Sequence, residues 1–140
     1  MLSSYHYSYT KAKLIGSLLK LEDKFTVFAE LSLKIAEKDF RPDACLYLKR
    51  DVDCSLPDIV RMTEMPVLAV EIVSQAQTTE EILDRIAVYF NSQVKSCWLV
   101  IPMASTIVVY ASPESARRFT TGDVVDELLD INLPLQDIFD

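Results

Sequence analysis

The stretch from Pro66 to Tyr89 constrains the fold most: Pro-Val-Leu-Ala-Val-Glu-Ile-Val-Ser, a short polar break, then Glu-Glu-Ile-Leu-Asp-Arg-Ile-Ala-Val-Tyr. Val67 to Val73 is a nearly continuous apolar run, the pattern of a central strand covered on both faces. Thr78 can cap a following helix, and Glu81 three residues on completes a capping box. Ile82, Ile86, Tyr89 and Phe90 supply its buried stripe, and Asn91-Ser92 ends it. A second apolar strand, Cys97 to Ile101, follows. Strand, helix and strand in that order predict a crossover and an α/β architecture.

The rest of the chain adds strands around that unit. Ser8 to Leu21 reads as a helix, with Ala12, Ile15, Leu18 and Leu19 at helical spacing, Leu14 widening the stripe, and Lys11, Lys13 and Lys20 on a polar side. Phe25 to Leu31 is extended, with Val27, Ala29 and Leu31 on one face, and Leu33 to Ala36 continues it or adds a short strand. Asp39 and Arg41-Pro42 mark a turn before the alternating strand Ala44 to Leu48. Lys49 to Met65 is polar, contains Pro57, and reads as a surface loop. Cys97 to Ile101 and Ile107 to Tyr110 form a hairpin around Pro102-Met103-Ala104-Ser105. Beyond Gly122 the segment Leu133 to Phe139 closes against the core. The expectation is a mixed β-sheet flanked by helices, in one domain over residues 1–140.

Acidic residues outnumber basic ones 21 to 14, a formal charge of -7. Proteins that bind nucleic acid through phosphate contacts usually show the reverse balance, although a metal-dependent nuclease must concentrate carboxylates at its site. Cys45, Cys54 and Cys97 are too scattered for a disulfide framework or a zinc knuckle, which favours a reducing, cytoplasmic setting. Met1 to Thr10 lacks the charged start and apolar core of a signal peptide. No apolar run approaches the roughly 20 residues that cross a bilayer. Gly16 and Gly122 do not form a phosphate-cradling loop, so no membrane and no organic cofactor is expected.

Glu71 is a carboxylate inside an apolar strand, and a charge there needs a partner or a metal. Asp43 precedes another apolar strand, so the two acids can meet across neighbouring strands. Such a pair can hold Mg²⁺ or Mn²⁺, hard ions that prefer oxygen, with Glu30 as a third carboxylate and the backbone carbonyl of Ile72 as a further ligand. Two readings stay open. One is a metal site in which Arg85 points toward the carboxylates and meets phosphate. The other is a structural Glu71–Arg85 ion pair, or a modest Glu81–Arg85 surface pair. Other features carry less: His6 lies near the chain end, Ser74 has no Ser-His-acid constellation, Trp98 suits the core or a dimer interface, and Lys34, Lys38 and Arg117-Arg118 suit solvated faces.

Pro42-Asp43, the Val67 to Ser74 strand with Glu71, the helix ending near Tyr89, and Val94 to Pro102 with Trp98 together resemble the putative restriction endonuclease domain family abundant in cyanobacteria. That family looks like a branch of the PD-(D/E)XK nuclease superfamily. The resemblance implies a restriction-endonuclease-like fold, Mg²⁺- or Mn²⁺-dependent DNA cleavage and a homodimer. By position, Asp43 and Glu71 match the metal-binding acids, and Glu30 resembles the additional acid from the N-terminal part. The superfamily's lysine two residues beyond the glutamate is Val73 here. The family's relocated lysine, four residues before the aromatic at Tyr89, is Arg85 here, and the acid four residues before it is Glu81. Arginine in that place puts catalysis in question and leaves a non-catalytic dimeric interaction protein of the same fold as the alternative.

Overall fold

Ser4 opens the first helix, α1 (Tyr5–Leu18): its side chain accepts from the Tyr7 N–H at 3.3 Å, satisfying one of the donors left unpaired at a helix start. The computed structural model describes residues 3–75 and 77–140, so the part of the N-terminal expectation resting on Met1 and Leu2 lies outside the described residues. The helix begins before the expected Ser8, and at Leu19–Leu21 it tightens into a 3-10 turn. Its buried residues are Thr10, Leu14, Ser17 and Leu18, whereas Ala12 and Leu19 are exposed. The inward stripe is therefore rotated by roughly one residue from the expected one, because the small hydroxyl side chains of Thr10 and Ser17 pack inward.

In chain order the remaining elements are β1 (Phe25–Ala29), β2 (Leu33–Ile35), β3 (Lys38–Phe40), β4 (Ala44–Leu48), β5 (Leu68–Ile72), α2 (Thr79–Asn91), β6 (Ser96–Ile101), β7 (Thr106–Ser112), β8 (Ser115–Phe119), β9 (Asp123–Asp126), β10 (Ile131–Pro134) and the single turn α3 (Gln136–Phe139). Six strands form one sheet in the order β1-β4-β5-β6-β7-β8. Only β5 and β6 run parallel, joined across α2; every other neighbour is antiparallel. The sheet is mixed and flanked by helices, as the sequence pattern implies.

Alternation within the strands divides the interior in two. Leu68, Val70, Ile72, Trp98 and Val100 pack with α1 and the β9–β10 segment, where Leu133, Leu135 and Ile138 close the core as expected. Ala69, Cys97, Leu99 and Val108 point the other way, to Ile82, Ile86 and Tyr89 of α2 and to Leu33 and Ile35 of β2. Cys45 and Cys97 are buried thiols and Cys54 is exposed; none is paired. Trp98 is fully buried, its Nε1 donating to Asp126 at 2.9 Å, which makes it a core residue.

Two expectations are corrected and one unforeseen strand is added. Asp39 lies in β3, not in a turn; β2 and β3 form a hairpin whose turn is Ala36-Glu37, both at positive φ (51° and 65°). Ala-Glu lacks the Asn-Gly signature of such turns, so the hairpin is silent in the sequence. The β1 strand stops at Ala29, which is exposed, because Glu30 adopts φ 53° and turns the chain, sending Leu31 to the other face of the sheet. Finally, β8 has no buried face, its first four residues being exposed, so Arg117 and Arg118 sit on a sheet edge of the charged kind that discourages further pairing.

Candidate functional site

The pairing of Ala44 with Val70 brings the start of β4 beside the end of β5, and with it Asp43 beside Glu71. The ladder closes through a side chain: the Ile72 N–H donates to Asp43 Oδ2 at 2.7 Å. The Glu30 N–H donates to the Asp43 carbonyl at 3.2 Å, fixing the third acid at the same end of the sheet. Glu30 holds left-handed backbone geometry, which is uncommon outside glycine and tends to gather at functional sites. Tyr7, Glu30, Asp43, Glu71, Ile72 and Arg85 all line a cleft of about 430 Å³.

Each of the two central acids is gripped by one helix through a tyrosine and a cation four residues apart. On α1, the Tyr7 hydroxyl hydrogen-bonds Asp43 Oδ1, and Lys11 Nζ lies 3.2 Å from the same oxygen and 3.0 Å from Glu30 Oε2. On α2, Tyr89 donates to Glu71 Oε2 at 2.6 Å, and Arg85 Nη2 donates to that oxygen at 3.1 Å. The i,i+4 spacing sets both members of each pair on one helix face. Phe40 of β3 buttresses the second grip, its ring edge-on to Tyr89 at 6.0 Å and 5.7 Å from the Arg85 guanidinium.

Arg85 therefore meets Glu71, and the alternative Glu81–Arg85 surface pair is not among the ion pairs of the described residues. Glu81 instead uses its backbone N–H, donating to the Thr78 side chain at 3.1 Å as the helix cap. Lys11 and Tyr7 are the site residues that sequence reasoning missed. A signal existed: Tyr7, Lys11, Leu14 and Leu18 follow a helical repeat, which sets the lysine on the inward stripe rather than the polar side. Ser74 also lines the cleft, with its hydroxyl buried and without a partner among the described residues. His6 is exposed on α1 and does not line this cleft.

The electrostatics are asymmetric. Burial pushes the Glu71 carboxyl above the usual range, and Arg85 and the Tyr89 hydroxyl offset it only in part. Burial also works against the Arg85 charge, but Glu71 and Tyr89 outweigh it and hold the guanidinium protonated. The two partners respond oppositely because the Glu71 side chain is 5% exposed while the Arg85 side chain keeps 29% of its surface in solvent. Burial, helped by their acid partners, raises the hydroxyls of Tyr7 and Tyr89, so both stay neutral donors. The hydrogen bond from Lys11 lowers the Glu30 carboxyl.

Among the described residues no three His, Cys, Asp or Glu side chains converge closely enough to cage an ion. Mg²⁺ does not require such a cage, since it usually keeps several waters and takes one or two carboxylates. A cleft lined by Asp43, Glu71 and Ile72, with an orphaned hydroxyl at Ser74, offers the oxygen donors that fit that chemistry.

Residues 6–136 match the Uma2 family, described as putative restriction endonucleases. The chain belongs to the Uma2 family. Its fold is similar to the crystal structure of a putative nuclease of the DUF820 group from Anabaena variabilis ATCC 29413, at TM-score 0.80 and 17% identity, over 99% of this chain and 83% of that one. No curated protein matches. The Uma2 fold in this chain is a mixed six-stranded sheet flanked by helices. Two residues beyond Glu71, this Uma2 chain packs Val73 against the α2 side of the core. Among the described residues no helix is long and apolar enough to cross a membrane.

Proposed function

We propose that this Uma2 protein is a divalent-metal-dependent DNA endonuclease, slowed by arginine at position 85. The observation that carries this reading is the meeting of Asp43 and Glu71 from adjacent strands at one cleft, tied by the Ile72 N–H. Asp43, Glu71, the Ile72 carbonyl and Glu30 would hold Mg²⁺ or Mn²⁺. When bound, such an ion supplies charge stabilisation at a phosphate oxygen and a more acidic water. Arg85 offsets part of the burial penalty on the Glu71 carboxylate and presents a guanidinium to a scissile phosphate. It cannot shuttle protons, because arginine stays protonated at any relevant pH. With a net charge of -7 the chain has little general attraction for DNA, so binding is weak and transient.

The same reading includes a homodimer in a cytoplasmic setting. The β6–β7 hairpin is not its surface, because the apolar residues of those strands are consumed in the core. Leu56, Ile59 and Val60 on the 49–65 loop are exposed instead, and sedimentation velocity of the protein with charge-substituted loop variants tests that face.

A second reading is a non-catalytic interaction protein that keeps the fold. It is favoured by the cations already seated on both acids, Lys11 on Asp43 and Arg85 on Glu71. The two readings separate on cleavage of supercoiled and single-stranded DNA in Mg²⁺ and Mn²⁺, parent beside Glu71→Ala. Cutting by the parent alone supports the endonuclease. No cutting on either substrate with either ion, or equal cutting by the variant, overturns it.

A further inference from the structure

Asp43 has no oxygen left uncommitted. Oδ2 accepts the Ile72 N–H, and Oδ1 accepts both the Tyr7 hydroxyl and the Lys11 ammonium. Lys11 is the only cation within ion-pair distance of Asp43 among the described residues, and it bridges to Glu30 at 3.0 Å. The other cation at Glu30, Arg41, stands 3.8 Å from the opposite oxygen and is largely exposed. An ammonium bridging two carboxylates occupies the place a divalent ion needs in order to bridge them. Both are compact charges that seek oxygen, and both cannot sit there together at a reasonable electrostatic cost.

The two cations of the site are unequal in this respect. Arg85 is fixed by Glu71, Tyr89 and the Phe40 ring. Lys11 is a point charge on a flexible stem, held at its head by oxygens and by proximity to the Tyr7 ring, 5.4 Å away. It can leave the acids without breaking the fold, whereas the departure of Arg85 strips the buried Glu71 of its countercharge and leaves it with Tyr89 alone.

We propose that Lys11 is a tethered cation that competes with a divalent ion for the Asp43–Glu30 edge of the cleft, so that one side chain of α1 sets the metal affinity of the site. This rests on Asp43 and Glu30 being metal ligands, as read above. A tethered ammonium disfavours stray binding at low metal concentration and admits an ion only once its concentration is high.

The test is a calorimetric Mn²⁺ titration of the intact protein and its variants, without DNA. Lys11→Met is expected to bind Mn²⁺ more tightly than the parent by about ten-fold or more. Lys11→Arg, which keeps the charge, stays close to the parent. Lys20→Met, which removes the same charge from a surface pair with Asp137 at the far end of the helix, also stays close to it. Lys11→Gln, which keeps a donor to Asp43, serves if the methionine variant fails to fold and is expected to gain affinity too. Unchanged or weaker binding by folded Lys11→Met or Lys11→Gln overturns the proposal, as does an equal gain in Lys20→Met or no binding by any protein. Tight binding without DNA cutting would remove the endonuclease reading and leave this one standing.

Discussion

The Ile72 N–H donates to the Asp43 carboxylate at 2.7 Å, so a side chain completes the β4–β5 ladder where the backbone pairing ends. That bond ties Asp43 to the residue after Glu71, and the other partners of the two acids come from different helices. Asp43 is held by Tyr7 and Lys11 of α1, Glu71 by Arg85 and Tyr89 of α2. The cleft lies where both grips meet.

Arg85 combines a structural duty with a chemical one, and substitutions separate them. Arg85→Met leaves Glu71 with Tyr89 alone. The expected loss is about 2–3 kcal/mol, below the ~3–5 kcal/mol of a wholly buried pair because one donor remains. Arg85→Lys keeps the charge and restores a group that can exchange a proton, so it is expected to cut DNA faster than the parent. Urea denaturation reads the first effect and plasmid nicking the second.

Removing one hydroxyl tests the α2 grip without altering volume. Tyr89→Phe deletes the 2.6 Å hydrogen bond to Glu71 from a fully buried ring. A loss of about 1–3 kcal/mol is expected, since the acceptor stays buried after losing its donor. A denaturation midpoint equal to the parent's would show that Arg85 alone satisfies the carboxylate.

Stability should depend on pH through Glu71. Burial raises its carboxyl in the folded state, so the native protein binds that proton more readily than the unfolded chain does. Stability therefore falls as pH rises from the ordinary value of 4.5 through the raised folded value. Glu30 has the opposite sign: Lys11 lowers its carboxyl, and that stabilisation is present above the ordinary value and lost as pH falls through the lowered one. Its half-exposed side chain makes the effect small. Glu71→Gln is expected to flatten the slope above pH 4.5, measured as urea midpoints across the range; an unchanged slope would assign the dependence to another group.

Trp98 makes a contrasting prediction. Its Nε1 and the Ser96 hydroxyl both bond the buried Asp126 carboxylate, which also accepts the Leu129 N–H at 3.2 Å. Trp98→Phe should cost about 1–3 kcal/mol through the lost donor to a buried acid. Affinity for DNA should not change, because the ring does not reach the surface. Circular dichroism is the appropriate probe, as the variant has no tryptophan left.

What the sequence made legible follows from where its signals are local. Glu71 stood out because a charge interrupted an apolar strand, and Arg85 because it was the basic residue of the helix that follows and, by the family resemblance, stands four residues before Tyr89. Asp43 was legible through its place before an alternating strand. Lys11 was not, because Thr10 and Ser17 are polar yet buried, which displaced the apparent stripe and left the lysine on the wrong side of it. The β2–β3 hairpin was hidden by Ala36-Glu37, whose positive φ angles no residue type there announces. The β8 strand was hidden because an edge strand with four exposed residues has no alternation to read.

The central claim is that Asp43 and Glu71, gripped by different helices, act as one oxygen centre for one ion. A Mn²⁺ titration of the parent, Asp43→Asn, Glu71→Gln and the double variant tests it most directly. Ligands of a single ion are non-additive, so each single variant should lose nearly as much affinity as the double. Full parental affinity in either single variant would contradict the claim and leave two separate ion pairs in its place.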